Sequence, residues 1–238
     1  MGGKNPAIVL SGADLEKAAL GVFRSAYGMA GQKCSACSRV YLHEAIADSF
    51  VEKLTRLIDE TRIGDPLDRE TFLGPVGTRA AYEDYETYAN LAAKDGIVVR
   101  GGEHMTGSEY ARGYFVKPTL VSGLSHDHRL VREELFLPFL VTQIVSDLDE
   151  AISLANDTDF GLTAGLFSND QNEIDKFLDS IEAGVVYVNR AAGATTGAWP
   201  GVQPFGGWKG SGSTGKNIGG LYSLMGYMRE QSRTVVRD

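Results

Sequence analysis

The sequence contains only two cysteines, Cys34 and Cys37. They are too few and too close together for a disulfide framework, so a reducing cytoplasm is the expected setting. Asn156-Asp157-Thr158 formally matches a glycosylation sequon, but nothing else points to secretion. Long apolar runs are also missing. None approaches the roughly 20 residues of a spanning helix, and residues 1–16 lack the extended apolar core of a signal peptide. No membrane partner is therefore expected. Basic residues are in deficit, 23 Lys and Arg against 31 Asp and Glu, for a net charge of −8. That balance argues against non-specific binding to nucleic acid or anionic lipid. No disorder-like block and no convincing internal repeat interrupt the chain.

What is present is ordinary globular material. At 238 residues and 43% hydrophobic content, the chain can build one substantial core, with or without a small appendage. Residues 4–10 read as a short buried strand. From Asp14 the apolar period becomes helical, with Leu15, Ala18, Ala19, Val22, Phe23, Ala26 and Met29 on one face and Gly31 as the stop. A strand is expected over 38–42. A helix over 45–58 turns Ile46, Phe50, Leu54, Leu57 and Ile58 inward, and Gly64-Asp65-Pro66 is a turn. Further helices are expected over 78–95, 149–155 and 172–181, and strands over 97–99, 139–145, 162–167 and 185–188. A polar loop spans 101–113. The alternation predicts an α/β layer structure with a largely parallel sheet. Residues 189–220, rich in Gly, Ala, Thr and Ser, read as irregular chain of the kind that builds a site. Residues 227–236 read as an extended arm.

Cys34 follows Gly31-Gln32-Lys33 on a turn beyond a helix, while Cys37 enters a strand. A thiol attacks only as its thiolate, and a turn exposes sulfur and surrounds it with backbone N–H donors. Cys34 is thus the candidate nucleophile. Both thiols also read as small core residues. The spacing further admits a redox pair, which needs a helix start, or a zinc knuckle, which needs a second ligand pair beyond His43. His126-Asp127-His128 reads either as a metal scrap or as solvated histidines. Gly210-Ser211-Gly212-Ser213-Thr214-Gly215-Lys216 matches most of a P-loop, but Asn217 stands where a hydroxyl must hold magnesium. Glycines there more simply permit close backbone approach to a ligand, or form a surface loop. Glu133-Glu134-Leu135-Phe136 alone reads as an exposed helix turn with one buried Phe, and Lys4 and Asn5 are unremarkable alone.

Taken as an ordered set, these segments resemble the aldehyde dehydrogenase superfamily. Gly2-Gly3-Lys4-Asn5-Pro6 looks like the segment after that family's glutamate, Gly31-Gln32-Lys33-Cys34 like its nucleophile motif, and Glu133-Glu134-Leu135-Phe136 like its cofactor-contacting motif. Asn156-Asp157-Thr158-Asp159-Phe160-Gly161-Leu162-Thr163 and Pro204-Phe205-Gly206-Gly207 complete the order. Within the superfamily the closer resemblance is to the 1-pyrroline-5-carboxylate dehydrogenases. It is carried by the nucleophile segment through Arg39 and by Thr196-Gly197-Ala198 with Gly201-Val202-Gln203-Pro204-Phe205. Leu137, Trp199-Pro200 and Ser213-Thr214-Gly215-Lys216 depart from the usual pattern.

The resemblance implies a three-layer α/β catalytic domain, truncated of most of its Rossmann-like cofactor domain. It places the catalytic portion at residues 1–220 and a C-terminal arm, an oligomerisation segment, at 221–238. It implies Cys34 as nucleophile, and Glu134 and Phe136 as NAD contacts. Ser35, Gly197 and Ala198 become substrate-carboxylate contacts, with Phe205 packing beside the substrate; no metal is implied. The implied partners are a small aldehyde, glutamate-γ-semialdehyde; the missing N-terminal cofactor domain, which carries the amide of the oxyanion site and the glutamate for deacylation; and further copies of the chain. A dehydrogenase for another aldehyde, or a noncatalytic fragment with the family fold, are the other readings.

Overall fold

The computed structural model describes residues 2–191, 203–212 and 217–237. Nine strands and six α-helices alternate over these residues: β1 (Asn5–Val9), α1 (Leu15–Tyr27), β2 (Cys37–His43), α2 (Ala47–Asp59), α3 (Arg79–Asp95), β3 (Ile97–Arg100), β4 (Thr119–Ser122), α4 (Arg129–Arg132), β5 (Phe139–Val145), α5 (Leu148–Asn156), β6 (Phe160–Gly161), β7 (Thr163–Phe167), α6 (Gln171–Ser180), β8 (Val185–Val188) and β9 (Trp208–Lys209). Seven strands form one sheet in the order β3-β4-β5-β2-β1-β7-β8. Every pairing in it is parallel except β3 with β4. The short strands β6 and β9 pair antiparallel apart from it.

Strand alternation explains the layers. Successive side chains of a strand point to opposite faces. Ala7 and Val9 of β1, with Val40 and Leu42 of β2, pack with Val22, Phe50, Leu54 and Tyr85 of α1, α2 and α3. Ile8 and Tyr41, their neighbours, pack with Ala151, Ile152 and Phe177 of α5 and α6. Both faces of the sheet are covered, which gives the three-layer α/β architecture that the sequence implies. Covering both faces also suits central strands that are largely apolar on both sides, with Asn5 and Arg39 as buried exceptions.

The helices begin where their caps dictate. Asp14, Thr78, Asp147 and Asp170 each accept a backbone N–H from the first turn of α1, α3, α5 and α6. The end of α1 departs from its apolar period. The helix stops at Tyr27, and a 3₁₀ turn over Gly28–Gly31 holds Met29 and Ala30 at φ 56° and 55°. Met29, expected on the buried face, is 72% exposed. The left-handed turn rotates it off the helix stripe and redirects the chain toward Cys34. Four elements have too little periodicity to be read from sequence: β4, only four residues long, α4, a single turn, and the two-residue strands β6 and β9. Among the described residues no helix is long and apolar enough to cross a membrane.

Candidate active site

Cys34 sits on a tight turn between α1 and β2. The Ala36 N–H donates to the Lys33 carbonyl at 3.1 Å, closing residues 33–36. Ahead of that turn, Gly31 lies at φ +66°, and a Cβ there would stand 2.2 Å from the Leu137 carbonyl oxygen. Glycine therefore allows the nucleophile turn to press against the chain that follows Glu134. The Gln32 side-chain oxygen accepts the Gly77 N–H at 2.9 Å, pinning the other side. Cys34 is half-buried and Cys37 fully buried, and both are free thiols. Burial pushes the Cys37 thiol up to about 12, and its sulfur donates to the Arg39 carbonyl at 3.4 Å. Among the described residues the backbone N–H of Cys34 has no acceptor. It is thus available to an oxyanion formed at the sulfur. Burial also holds the neighbouring Lys33 ammonium below the ordinary lysine range.

The opening segment builds the floor beneath this turn. The Asn5 amide nitrogen donates to the carbonyls of Cys34 and Ala36, each at 2.8 Å, and its oxygen accepts the Thr163 N–H at 3.0 Å. One buried side chain therefore holds the nucleophile turn, β1 and β7 together. Gly3 runs so close that a Cβ would stand 2.3 Å from the Cys34 carbonyl oxygen. Its N–H donates to Glu134 Oε1 at 2.9 Å. Cys34 and Glu134, a hundred positions apart, thus contact the same glycine. Phe136, expected to be buried if the segment were an isolated helix turn, is instead 45% exposed, at φ 56°. α4 ends at Arg132, and the chain beyond it bends away, so the ring projects from the surface. Gly3, Lys33, Glu134 and Phe136 line one crevice. A carboxylate acceptor beside an exposed aromatic face suits a ribose hydroxyl and a flat heteroaromatic ring.

The other candidate residues divide. Ser35 is buried next to the nucleophile. Phe205 is half-buried and pairs with Ile218 through reciprocal backbone bonds of 2.8 and 3.0 Å. Gly197 and Ala198 lie outside the described residues, as do positions 213–216 of the glycine-rich run. Sequence reasoning missed Ser211. Its hydroxyl donates to the Gly2 carbonyl at 2.6 Å and accepts the Gly161 N–H at 3.0 Å, so the glycine-rich segment is a clamp on the chain entering the site. It also missed Lys4, Asn5 and Arg39. Their charge or amide on an otherwise apolar strand was the available signal.

The histidines are engaged elsewhere. His43 accepts the Ala45 N–H, His126 meets Asp157 at 2.9 Å and His128 meets Asp95 at 3.4 Å. No group of three potential metal ligands gathers among the described residues. The cysteine pair stands at the entry to β2 and not at a helix start, as a thioredoxin-like pair would. A larger cavity, about 450 Å³, lies between the end of α2 and β3 and shares no residue with the crevice. Its rim charges already pair with each other, Arg100 with Asp59 and Lys117 with Glu103.

The sequence pattern described as the aldehyde dehydrogenase family matches residues 1–233. The chain belongs to this family. A 1-pyrroline-5-carboxylate dehydrogenase of Bacillus cytotoxicus is 38% identical over 93% of this chain, and one of Bacillus mycoides is equally so. Among solved structures, the 1-pyrroline-5-carboxylate dehydrogenase from Thermus with bound NAD superposes with a TM-score of 0.87 at 36% identity over 94% of this chain. A 3,6-anhydro-L-galactose dehydrogenase in complex with NAP superposes with a TM-score of 0.89 at 31% identity over 95%. The chain spans 42% of the length of both Bacillus relatives and of the Thermus chain, and 46% of the other.

Proposed function

We propose that the chain is the catalytic portion of an NAD-dependent dehydrogenase that oxidises glutamate-γ-semialdehyde to glutamate through a thioester on Cys34. The observation that carries this reading is Gly3, packed on the Cys34 carbonyl and donating to Glu134. It joins the nucleophile turn to the cofactor-side carboxylate through a single residue. The printed names of the Bacillus and Thermus relatives support the substrate class.

In this reading the Cys34 thiolate attacks the aldehyde carbon and forms a thiohemiacetal, with negative charge growing on the former carbonyl oxygen. The free Cys34 N–H donates to that oxygen, a contact that strengthens as the charge develops. Glu134 accepts from a ribose hydroxyl, and Phe136 packs against the nicotinamide. NAD, when bound, accepts the hydride as the thioester forms. Ser35, Gly197 and Ala198 hold the substrate α-carboxylate through hydroxyl and backbone donors, and Phe205 packs beside its carbon chain. Water then releases the acid, with a base supplied by the N-terminal half of the enzyme. Residues 1–220 form the catalytic portion, residues 221–238 an arm used between subunits, and the cytoplasm is the proposed compartment.

The test is NADH formation at 340 nm with the chain reassembled with an N-terminal dinucleotide-binding half. Glutamate-γ-semialdehyde is compared with an aliphatic aldehyde of equal length. A higher kcat/KM for the semialdehyde, abolished in Cys34→Ala, is expected. Equal specificity constants would reject the substrate, and turnover in Cys34→Ala would reject the mechanism.

A further inference from the structure

Lys4, just before β1, is a buried cation at the head of a largely apolar strand. Its side chain is 1% exposed, and its ammonium donates to the Leu130 carbonyl of α4 at 2.7 Å. Its own carbonyl accepts two bonds from Arg39, from Nε at 3.0 Å and Nη2 at 2.7 Å. The residue before it donates to Glu134, and the residue after it holds the Cys34 and Ala36 carbonyls. Three consecutive residues therefore grip both sides of the crevice. A methionine would fill the same space without burying a charge, and replacing buried ionic groups by apolar ones of similar volume is often neutral or stabilising. An ammonium kept there calls for a role that hydrocarbon does not supply.

We propose that Lys4 is a positioning residue: from the position just before β1 it holds the Leu130–Glu134 stretch and so sets where Glu134 stands relative to Cys34. The proposal rests on the cofactor role proposed for Glu134. The charges facing the ammonium come from two directions. Arg39 and Cys37 approach from β2, and Glu133 and Glu134 from the chain after α4. Burial and then Arg39 lower the Lys4 pKa, the two glutamates oppose them, and the result is about 7. Protonated Lys4 attracts Glu134 as well as bonding Leu130, whereas neutral Lys4 keeps only the bond. The grip on Glu134 therefore weakens as pH rises through 7. Two histidines adjoin α4: His128, which accepts the Leu130 N–H, and His126, beside Arg132. The experiment must separate any contribution of these rings from that of Lys4.

The Gly3 amide, bonded to Glu134, is the reporter. In the ¹⁵N-labelled 238-residue chain its NMR shift should titrate with a midpoint near 7. The midpoint should vanish in Lys4→Met, survive in His128→Asn and His126→Gln, and fall in Glu134→Gln, which removes a charge that favours the ammonium. A nitroxide on Cys34 should broaden the Leu135 and Phe136 amides at least twofold differently in Lys4→Met than in the unsubstituted chain. A merely structural lysine would leave the Gly3 shift flat between pH 6 and 8. That result, or a midpoint lost with either histidine, overturns the proposal. Both are read in the unsubstituted or histidine-substituted chain, so they decide even if Lys4→Met does not fold. None of these readouts involves NADH, so failure here is distinct from failure of the dehydrogenase reading.

Discussion

Two thiols three positions apart face opposite fates because one lies on a turn and the other inside a sheet. With its thiol pushed to about 12, Cys37 is almost wholly protonated at pH 8, and only thiolate reacts. Limiting iodoacetamide at pH 8 should label Cys34 at least tenfold faster, as read by peptide mass spectrometry; preferential labelling of Cys37 would refute the assignment. Asn5 carries more than its size suggests. Removing its amide in Asn5→Leu orphans two carbonyls and one N–H, each worth about 1–3 kcal/mol when buried. Denaturant unfolding should show a loss of at least about 2 kcal/mol, and the Cys34 labelling rate should change with it. Lys4 adds a pH signature. Its folded pKa lies near 7 against an unfolded 10.5, so between those values the unfolded chain binds more protons. Stability should rise from pH 7 toward 10, by up to about 1.4 kcal/mol per pH unit. Lys4→Met should lack this component, and an identical pH profile in the two proteins would contradict it.

Arg39 shows how one side chain joins elements. From β2 it reaches the Lys4 carbonyl, the Tyr41 hydroxyl and the Leu154 and Ala155 carbonyls at the end of α5, with no exposed surface of its own. A cation at a helix C-terminus satisfies carbonyls that the helix leaves unpaired. Arg39→Met should therefore cost about 3 kcal/mol, and hydrogen exchange should quicken first in the last turn of α5. Uniform quickening across the sheet would show that the link to α5 is not the weak point. These contacts also mark what was legible from sequence. Helices α1, α2, α3, α5 and α6 and the strands of the main sheet other than β4 carry their own apolar periods, and all of these helices but α2 carry a side-chain cap as well, so local pattern found them. The Cys34 turn and the segment at Glu134 were recognisable as motifs. Lys4, Asn5, Arg39 and Ser211 were not, because each acts on backbone far away in sequence and backbone acceptors leave no trace in residue type. The Gly197-Ala198 anchor lies outside the described residues and stands on resemblance alone.

At the scale of the molecule, the proposed reading makes the crevice one side of a cofactor site. Glu134 and Phe136 contact the nicotinamide end in the proposed reading, which leaves the adenine and pyrophosphate to the N-terminal half of the enzyme. The 238-residue chain by itself should give no sustained NADH formation with saturating NAD and several aldehydes, yet should acylate once at Cys34 with an activated ester. Multiple turnovers by the verified chain alone would overturn that division of labour. The end of the chain is apolar and open, with Leu221, Leu224, Tyr227, Val235 and Val236 each more than 70% exposed. If these residues pack between copies, deletion from Gly226 onward should lower the mass seen by light scattering; an unchanged mass would exclude that role. The sheet order has a consequence for how the chain comes into being. Among the seven described strands of this sheet β1 is made first, yet it lies in the interior of the sheet, and one of its neighbours, β7, follows it only after five other strands and five helices. During synthesis that apolar strand waits with one edge unpaired, and non-local pairing of this kind is slow and exposed to aggregation. A nascent chain stalled before Thr163 should therefore engage chaperones at residues 5–9 and release them once β7 has emerged.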